Sequence, residues 1–144
     1  RVPGLGAEIY AALAEAGAVL AADSLAYVSN WVTPRGAPRR FDARFYAAVV
    51  PPGTAAGADR TEVTEACWVA PGEALRRAEA GQWRVEFPTR KHLEALAAHH
   101  DAGAVLAAAP PADEVVRVEP RLSVNSDGTW RVLLPGEPGY AEAG

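Results

Sequence analysis

Hydrophobic and polar positions follow two different periods along the chain, and the changes of period predict its secondary structure. Apolar residues recur every three or four positions from residue 5 to 16, which predicts a helix that ends at Gly17. β-Branched and aromatic residues then concentrate in residues 24–33, and this enrichment predicts a strand. Residues 40–50 alternate at first and are apolar throughout their second half, which predicts a strand that runs into a core.

The second half of the chain continues this mixture of strands and helices. Pro71 suits the first turn of a helix and Gly81 suits its end, while Thr89 can cap a further helix that ends at Gly103. The other predicted elements are a strand at 61–69, an extended segment at 83–87, a strand at 115–118 and a hairpin of 122–124 with 130–134. Such a mixture predicts an α/β or α+β layered domain with a mixed sheet.

Length and composition predict one globular domain. The 144 residues are enough to close a single hydrophobic core, and 49% apolar with 22% charged residues is ordinary for a folded protein. We expect the domain to span residues 1–135. Residues 136–144 have little to bury and are predicted to form a flexible tail.

Charge and cysteine usage exclude several classes of protein. The net charge is −4 and no lysine- or arginine-dense block is present, so nucleic acid is not an expected partner. No apolar stretch approaches the roughly 20 residues that span a bilayer, so a membrane is not expected either. The single cysteine, Cys67, cannot form an internal disulfide and is expected to be a buried thiol on a strand. A reducing, cytoplasmic location is the expectation.

Several short motifs, weak singly but ordered along the chain, carry a family resemblance. They are Trp31-Val32-Thr33-Pro34, the run from Arg39 to Tyr46, Asp59, Glu62-Val63, Trp68-Val69 and Pro71. In this order they resemble the Nudix hydrolases, and more narrowly the branch that includes acyl-coenzyme-A diphosphatases. The match covers residues 7–97. It implies an α/β/α sandwich with a mixed sheet and, for a complete protein, Mg²⁺- or Mn²⁺-dependent cleavage of diphosphate linkages in nucleoside-diphosphate derivatives, coenzyme A species among them.

The chain departs from the family at its catalytic motif. A Nudix box places several carboxylates on one helical face to hold divalent cations, whereas the first predicted helix contains just Glu8 and Glu15. We therefore expect the C-terminal portion of a Nudix-like domain, incomplete at its N-terminus, with the box upstream of Arg1. The alternative is a non-catalytic Nudix-like module that binds a ligand or a protein. A third alternative is a chain that cannot fold alone and dimerises through exposed edges such as residues 45–50.

The resemblance implies roles for acidic residues in the middle of the chain. Glu62 is the candidate catalytic residue and metal ligand, because a carboxylate beside a dication can orient or deprotonate water. Glu65 is a weaker candidate metal ligand, since it has the opposite strand parity. The competing interpretation of both is a solvated carboxylate.

Candidate substrate contacts precede these carboxylates. Arg39, Arg40 and Arg44 can offer forked donors to a small-molecule diphosphate, although ion pairing with Asp42 is an equally simple role. Trp31 can stack on a nucleobase or line an acyl pocket, with a place in the core as the alternative. The three histidines, His92, His99 and His100, are expected at the surface or at helix ends. A homodimer is a further candidate partner.

Overall fold

The structure is a computed structural model that describes residues 5–19 and 21–143. Residues 1–4, 20 and 144, which the predicted domain and tail include, lie outside the described residues. The described chain is a mixed α+β protein, which confirms the coarse class. Its helices are α1 (Leu5–Glu15), α2 (Pro71–Glu79), α3 (Phe87–Ala97) and α4 (Ala102–Ala107), and its strands are β1 (Ala26–Val32), β2 (Asp42–Ala47), β3 (Arg117–Val118), β4 (Arg121–Val124) and β5 (Trp130–Leu133).

A three-stranded mixed sheet has β1 at its centre. Strand β2 pairs with β1 antiparallel and β3 pairs with it in parallel, so the order is β2-β1-β3. The β1–β2 register shifts between Tyr27 and Ser29, and beyond this bulge Ser29 lies opposite Phe45 and Trp31 lies opposite Ala43. Because alternate side chains share a face, Ser29, Trp31, Ala43 and Phe45 all project from the same side of the sheet.

Local signals mark both ends of α2 where the sequence predicts them. Helix α2 has its proline in the first turn, and Gly81 follows it with a φ of +70°. The prediction for the next helix is wrong in its bounds, because α3 begins before Thr89, with Pro88 in its first turn, and ends at Ala97. Asp101 then caps a separate helix by accepting a hydrogen bond from Ala104 N (2.7 Å), so Gly103 lies inside α4.

The strand predicted at residues 61–69 does not form. The carboxylate of Asp59 accepts hydrogen bonds from the backbone N–H groups of Thr61 (3.0 Å), Glu62 (3.2 Å) and Val63 (2.9 Å). These donors cannot then join a sheet ladder, and Arg60 adopts a positive φ of 61°. The prediction was wrong because a local side-chain turn competes with the strand. Cys67, expected to be buried on this strand, is exposed in the loop.

The C-terminal hairpin confirms its prediction. Strands β4 and β5 pair antiparallel from Arg121 opposite Leu133 to Val124 opposite Trp130. Residues after the hairpin, for which a flexible tail is predicted, lie against it. The Arg121 guanidinium donates to the carbonyls of Tyr140, Ala141 and Ala143, and the Tyr140 hydroxyl donates to Glu119 O (2.7 Å).

The described elements leave much apolar surface open to solvent. The chain exposes 11074 Å², whereas a compact monomer of its 15.1 kDa mass would expose roughly 7,100 Å². From Glu8 to Glu15, Leu13 alone is half-buried. At the free edge of β2, Tyr46 is 54% exposed, and nearby Val49 is 54% exposed. The expectation of one closed core is not met in the described chain, because two small sheets and short helices cover too little of one another.

The helices are also short. Within the described residues, none of the helices has the length and hydrophobicity that crossing a membrane requires.

Candidate functional site

Helix α3 places a histidine among aromatic rings on the β1–β2 sheet. The imidazole of His92 lies 4.1 Å from the Phe45 ring and 5.7 Å from the Trp31 ring, measured between centroids. Phe87, at the start of α3, meets Trp31 edge-on at 6.2 Å. Such contacts stabilise by burying area and by ring electrostatics, and they fix where the imidazole points. We call Trp31, Phe45, Phe87 and His92 the aromatic cluster.

Both nitrogens of His92 are hydrogen-bonded. Nδ1 lies 2.7 Å from the carbonyl oxygen of Pro88, one turn earlier in α3, and Nε2 lies 2.6 Å from Ser29 Oγ on β1. A carbonyl oxygen can only accept, so Nδ1 carries the hydrogen. In the neutral imidazole, Nε2 is therefore the acceptor, and the Ser29 hydroxyl donates to it. The helix thus presents a base, already oriented, to a hydroxyl on the central strand.

Two cavities flank the aromatic cluster, and Trp31 and Phe45 line both of them. The larger, of about 520 Å³, also contains Ser29 and His92. We call it the Ser29–His92 cavity. Its other walls come largely from apolar side chains of α3, α4 and β1, among them Val28, Leu96 and Val105. The smaller cavity, of about 240 Å³, lies toward Thr33, Phe41 and Phe87. We call it the proline-rimmed cavity, after Pro34, Pro88 and Pro120 in its lining.

The predicted arginines are not gathered at either cavity. Arg40 donates to Thr33 O (3.0 Å) and to a carboxylate oxygen of Glu119 (2.5 Å), and Arg35 lies 3.5 Å from the same oxygen. Arg40 is therefore committed to a surface ion pair. Arg39 and Arg44 are exposed, and neither lines the Ser29–His92 cavity or the proline-rimmed cavity.

Asp42 pairs with other partners than the arginines beside it in sequence. Its carboxylate accepts from Asn30 Nδ2 (2.7 Å) and lies 3.8 Å from Arg117 Nε on β3. Asn30 is 5% exposed, and its Oδ1 has no hydrogen-bond partner among the described residues. These groups share the sheet face opposite the aromatic cluster. The intrastrand pairing with Arg40 or Arg44 is thus replaced by pairing across the sheet.

Glu62 and Glu65 lie in the exposed loop between β2 and α2. Three backbone N–H groups hydrogen-bond to Asp59 in the turn that carries Glu62, chiefly that of Val63, and they lower the Asp59 pKa from 3.8 to about 2. Across residues 5–19 and 21–143, three or more His, Cys, Asp or Glu side chains nowhere converge as a metal site. Glu62 and Glu65 on their own therefore do not fit Mg²⁺ or Mn²⁺, which take several oxygen ligands.

Sequence reasoning missed the histidine and serine at the cluster. His92 was expected at the surface or at a helix end, yet it lies within α3 and is half-buried. A helical signal for it exists, because His92, Ala95, Leu96 and His99 follow the i, i+3, i+4, i+7 spacing and all line the Ser29–His92 cavity. Ser29 gives no comparable signal, because its hydrogen-bond partner His92 is 63 residues away in the chain.

Comparison with known proteins identifies no relative that bears on the site. No family model, curated protein or solved structure matches the chain. The Nudix resemblance therefore rests on the ordered motifs alone, and the chemistry of the site rests on the contacts described above.

Proposed function

We propose that this protein is a small-molecule-binding module whose ligand occupies the Ser29–His92 cavity. One observation carries the proposal: a cavity of about 520 Å³ with apolar walls holds one oriented polar pair, Ser29 and His92. Ligand sites commonly have roughly 300–1,000 Å³ of space, mostly apolar lining and a few convergent polar groups. The cavity meets each of these criteria.

The lining indicates which part of a ligand enters. Trp31 and Phe45 offer aromatic surface, and α4 with the residue after it contributes Val105 and Ala108, so the buried portion is apolar or aromatic. Lys91 stands on the same wall, where its ammonium group binds Glu94 (2.8 Å) and lies 5.8 Å from the Phe87 ring centroid. An acyl chain or a flat ring fits this lining better than a diphosphate does. We propose that any phosphate groups of the ligand stay outside the cavity.

Calorimetric titration with butyryl-coenzyme A, coenzyme A and ADP-ribose, each with and without Mg²⁺, tests this proposal. The cavity predicts preference for the butyryl derivative and affinity that does not depend on Mg²⁺. Ala95→Trp fills the cavity from α3 and should weaken binding by about tenfold or more, roughly 1.4 kcal/mol. Ala97→Trp, on the same helix but outside both cavities, is the matched control. Equal affinity in the two variants, or no binding to the wild type, would overturn the proposal.

A second candidate function is the metal-dependent diphosphate hydrolase that the Nudix resemblance implies, with a Nudix-like α/β/α sandwich. The favouring observation is that two of its motifs meet. Thr33 N donates to Phe41 O (3.0 Å), and Phe41 N donates to Thr33 Oγ1 (3.0 Å), which joins the Trp-x-Thr-Pro turn to the Arg-Phe-Asp strand. Such a hydrolase needs metal-binding carboxylates in addition to Glu62 and Glu65.

Cleavage of ADP-ribose into AMP and ribose 5-phosphate in the presence of Mn²⁺, followed by chromatography, tests the hydrolase function. It predicts turnover that a chelator abolishes and that Glu62→Gln lowers by at least about 100-fold, the scale of a general base. Glu114→Gln, at another exposed glutamate, is the control. Binding without metal-dependent turnover would leave the module as the function of this chain.

A further inference from the structure

We infer that Ser29 and His92 form a nucleophile–base pair that hydrolyses esters of small apolar acids. This inference rests on the proposed function in one respect, since it requires that the Ser29–His92 cavity admit a small molecule. The distance of 2.6 Å between Ser29 Oγ and His92 Nε2 is within the reach over which a base takes a hydroxyl proton. Both side chains line the cavity, so a bound carbonyl group can approach the hydroxyl.

The position of the hydrogen on His92 is the one that a base requires. The Pro88 carbonyl holds the hydrogen on Nδ1 (2.7 Å), which leaves the Nε2 lone pair aimed at Ser29. A carboxylate often holds the base in nucleophilic hydrolases, and here a helix carbonyl takes that orienting role. Phe45, at 4.1 Å between centroids, covers one face of the imidazole and limits its rotation.

Strand geometry also singles out Ser29. The register of β1 against β2 shifts between Tyr27 and Ser29, so Ser29 directly follows a bulge in the central strand. Bulges turn individual side chains and recur beside active sites. The bulge and the hydrogen bond to α3 are independent features, and both set the direction of the same hydroxyl.

The chemical step follows from this arrangement. Ser29 Oγ bonds to the ester carbonyl carbon while its proton passes to His92 Nε2 and the π electrons of the carbonyl bond move onto the carbonyl oxygen. That bond then re-forms as the bond from carbon to the alcohol oxygen breaks, and the leaving oxygen takes the proton from Nε2. Water attacks the acyl carbon on Ser29 in the same way, giving its proton to Nε2; the bond from carbon to Ser29 Oγ then breaks and Oγ takes the proton back, which releases the acid and restores the hydroxyl. The apolar walls suit the acyl chain, and Lys91 is the cation along the same wall.

The full chain is tested with two probes, p-nitrophenyl butyrate for turnover and phenylmethanesulfonyl fluoride for labelling, with the labelled residue located by peptide mass spectrometry. Wild type should release p-nitrophenol and carry the sulfonyl group on Ser29. Ser29→Ala should lose both signals. His92→Phe keeps a ring against Phe45 and removes the base, so labelling should slow by about 100-fold or more.

Matched controls come from residues outside the pair. Ser24 is an exposed serine whose hydroxyl donates to Ala21 O, and Ser24→Ala should label at the wild-type rate. His100→Phe replaces an exposed histidine and should do the same. Circular dichroism of each variant separates loss of reactivity from loss of fold.

Two outcomes would overturn the inference. One is labelling that is spread over several serines or is equally fast in folded His92→Phe. The other is a wild type that binds butyryl-coenzyme A yet neither labels nor turns over ester, which removes the nucleophile–base pair and leaves the binding module intact. Failure to bind any ligand, with Ser29 still labelled, would instead remove the binding module as proposed.

Discussion

Hydrogen bonds of similar length hold the aromatic cluster and the turn at residues 59–63, but the residues that they join are separated very differently along the chain. Ser29 and His92 are 63 residues apart in the chain and 2.6 Å apart in space. The Asp59 carboxylate accepts a hydrogen bond (2.9 Å) from the backbone N–H of Val63, which is just four residues later in the chain. The turn is a local structure that needs no partner element. The cluster exists only where a strand and a helix pack, so it can bring chemistry together that no short motif contains.

The largest expected effect on stability comes from removing Trp31. Trp31→Ala removes a half-buried side chain that lines both cavities, and we expect the free energy of unfolding to fall by about 2–3 kcal/mol, below the roughly 3–5 kcal/mol of fully buried aromatics. Urea unfolding measures this. Trp130→Ala, at a tryptophan that is 71% exposed, is the control and should change the free energy by less than about 0.5 kcal/mol. Equal losses in the two variants would mean that the cluster contributes no special packing.

A smaller effect measures the long-range hydrogen bond itself. We expect a double-mutant cycle of Ser29→Ala and His92→Phe to give a coupling free energy of about 1 kcal/mol, the usual net value of such a bond. Urea unfolding of the wild type, both single variants and the double variant supplies the cycle. Additive losses would show that the two side chains do not interact in solution.

The local turn should respond to acid rather than to distant substitutions. The backbone N–H groups of Val63 and its neighbours lower the Asp59 pKa from 3.8 to about 2, so the carboxylate stabilises the turn at pH values above 3.8 and loses that effect as the pH falls through about 2. The amide proton shift of Val63, followed by NMR, should titrate with this midpoint. Asp59→Asn should remove the titration. A midpoint near 3.8 would mean that the turn does not form.

The smallest effect is expected at the two predicted metal ligands. Glu62 and Glu65 are exposed and line neither cavity, so Glu62→Gln with Glu65→Gln should change the free energy of unfolding by less than about 0.5 kcal/mol. The double variant should also bind butyryl-coenzyme A as the wild type does. Loss of that binding would mean that the loop with Glu62 and Glu65 contributes to the Ser29–His92 cavity, contrary to the separation of the two regions described above.

The sequence predicts elements whose ends are set by local chemistry. Pro71 and Gly81 mark the ends of α2, and Gly128 (φ +83°) supports the turn between β4 and β5, because each acts through its own backbone preference. The strand at residues 61–69 was predicted from its composition. The carboxylate of Asp59 overrode that preference by taking three backbone donors.

The candidate site is much less predictable. Trp31, which the sequence offers either as a stacking or pocket residue or as a core residue, lines both cavities. Its contact with a substrate stays a prediction. The sequence gives His92 no functional role, because no acidic or cysteine partner stands at ligand spacing near it. Its partner Ser29 lies on β1, 63 residues earlier. The contact forms because α3 packs on the sheet, and short stretches of sequence carry no signal for that packing.

The side-chain tautomer of His92 tests the central claim most directly. A long-range ¹H–¹⁵N spectrum distinguishes protonated from unprotonated ring nitrogens, with exposed His100 as the internal reference. The contacts with Pro88 and Ser29 predict the tautomer that has its hydrogen on Nδ1 and an accepting Nε2. A hydrogen on Nε2, or a mixture of the two tautomers, would contradict the arrangement on which both the binding module and the nucleophile–base pair are built.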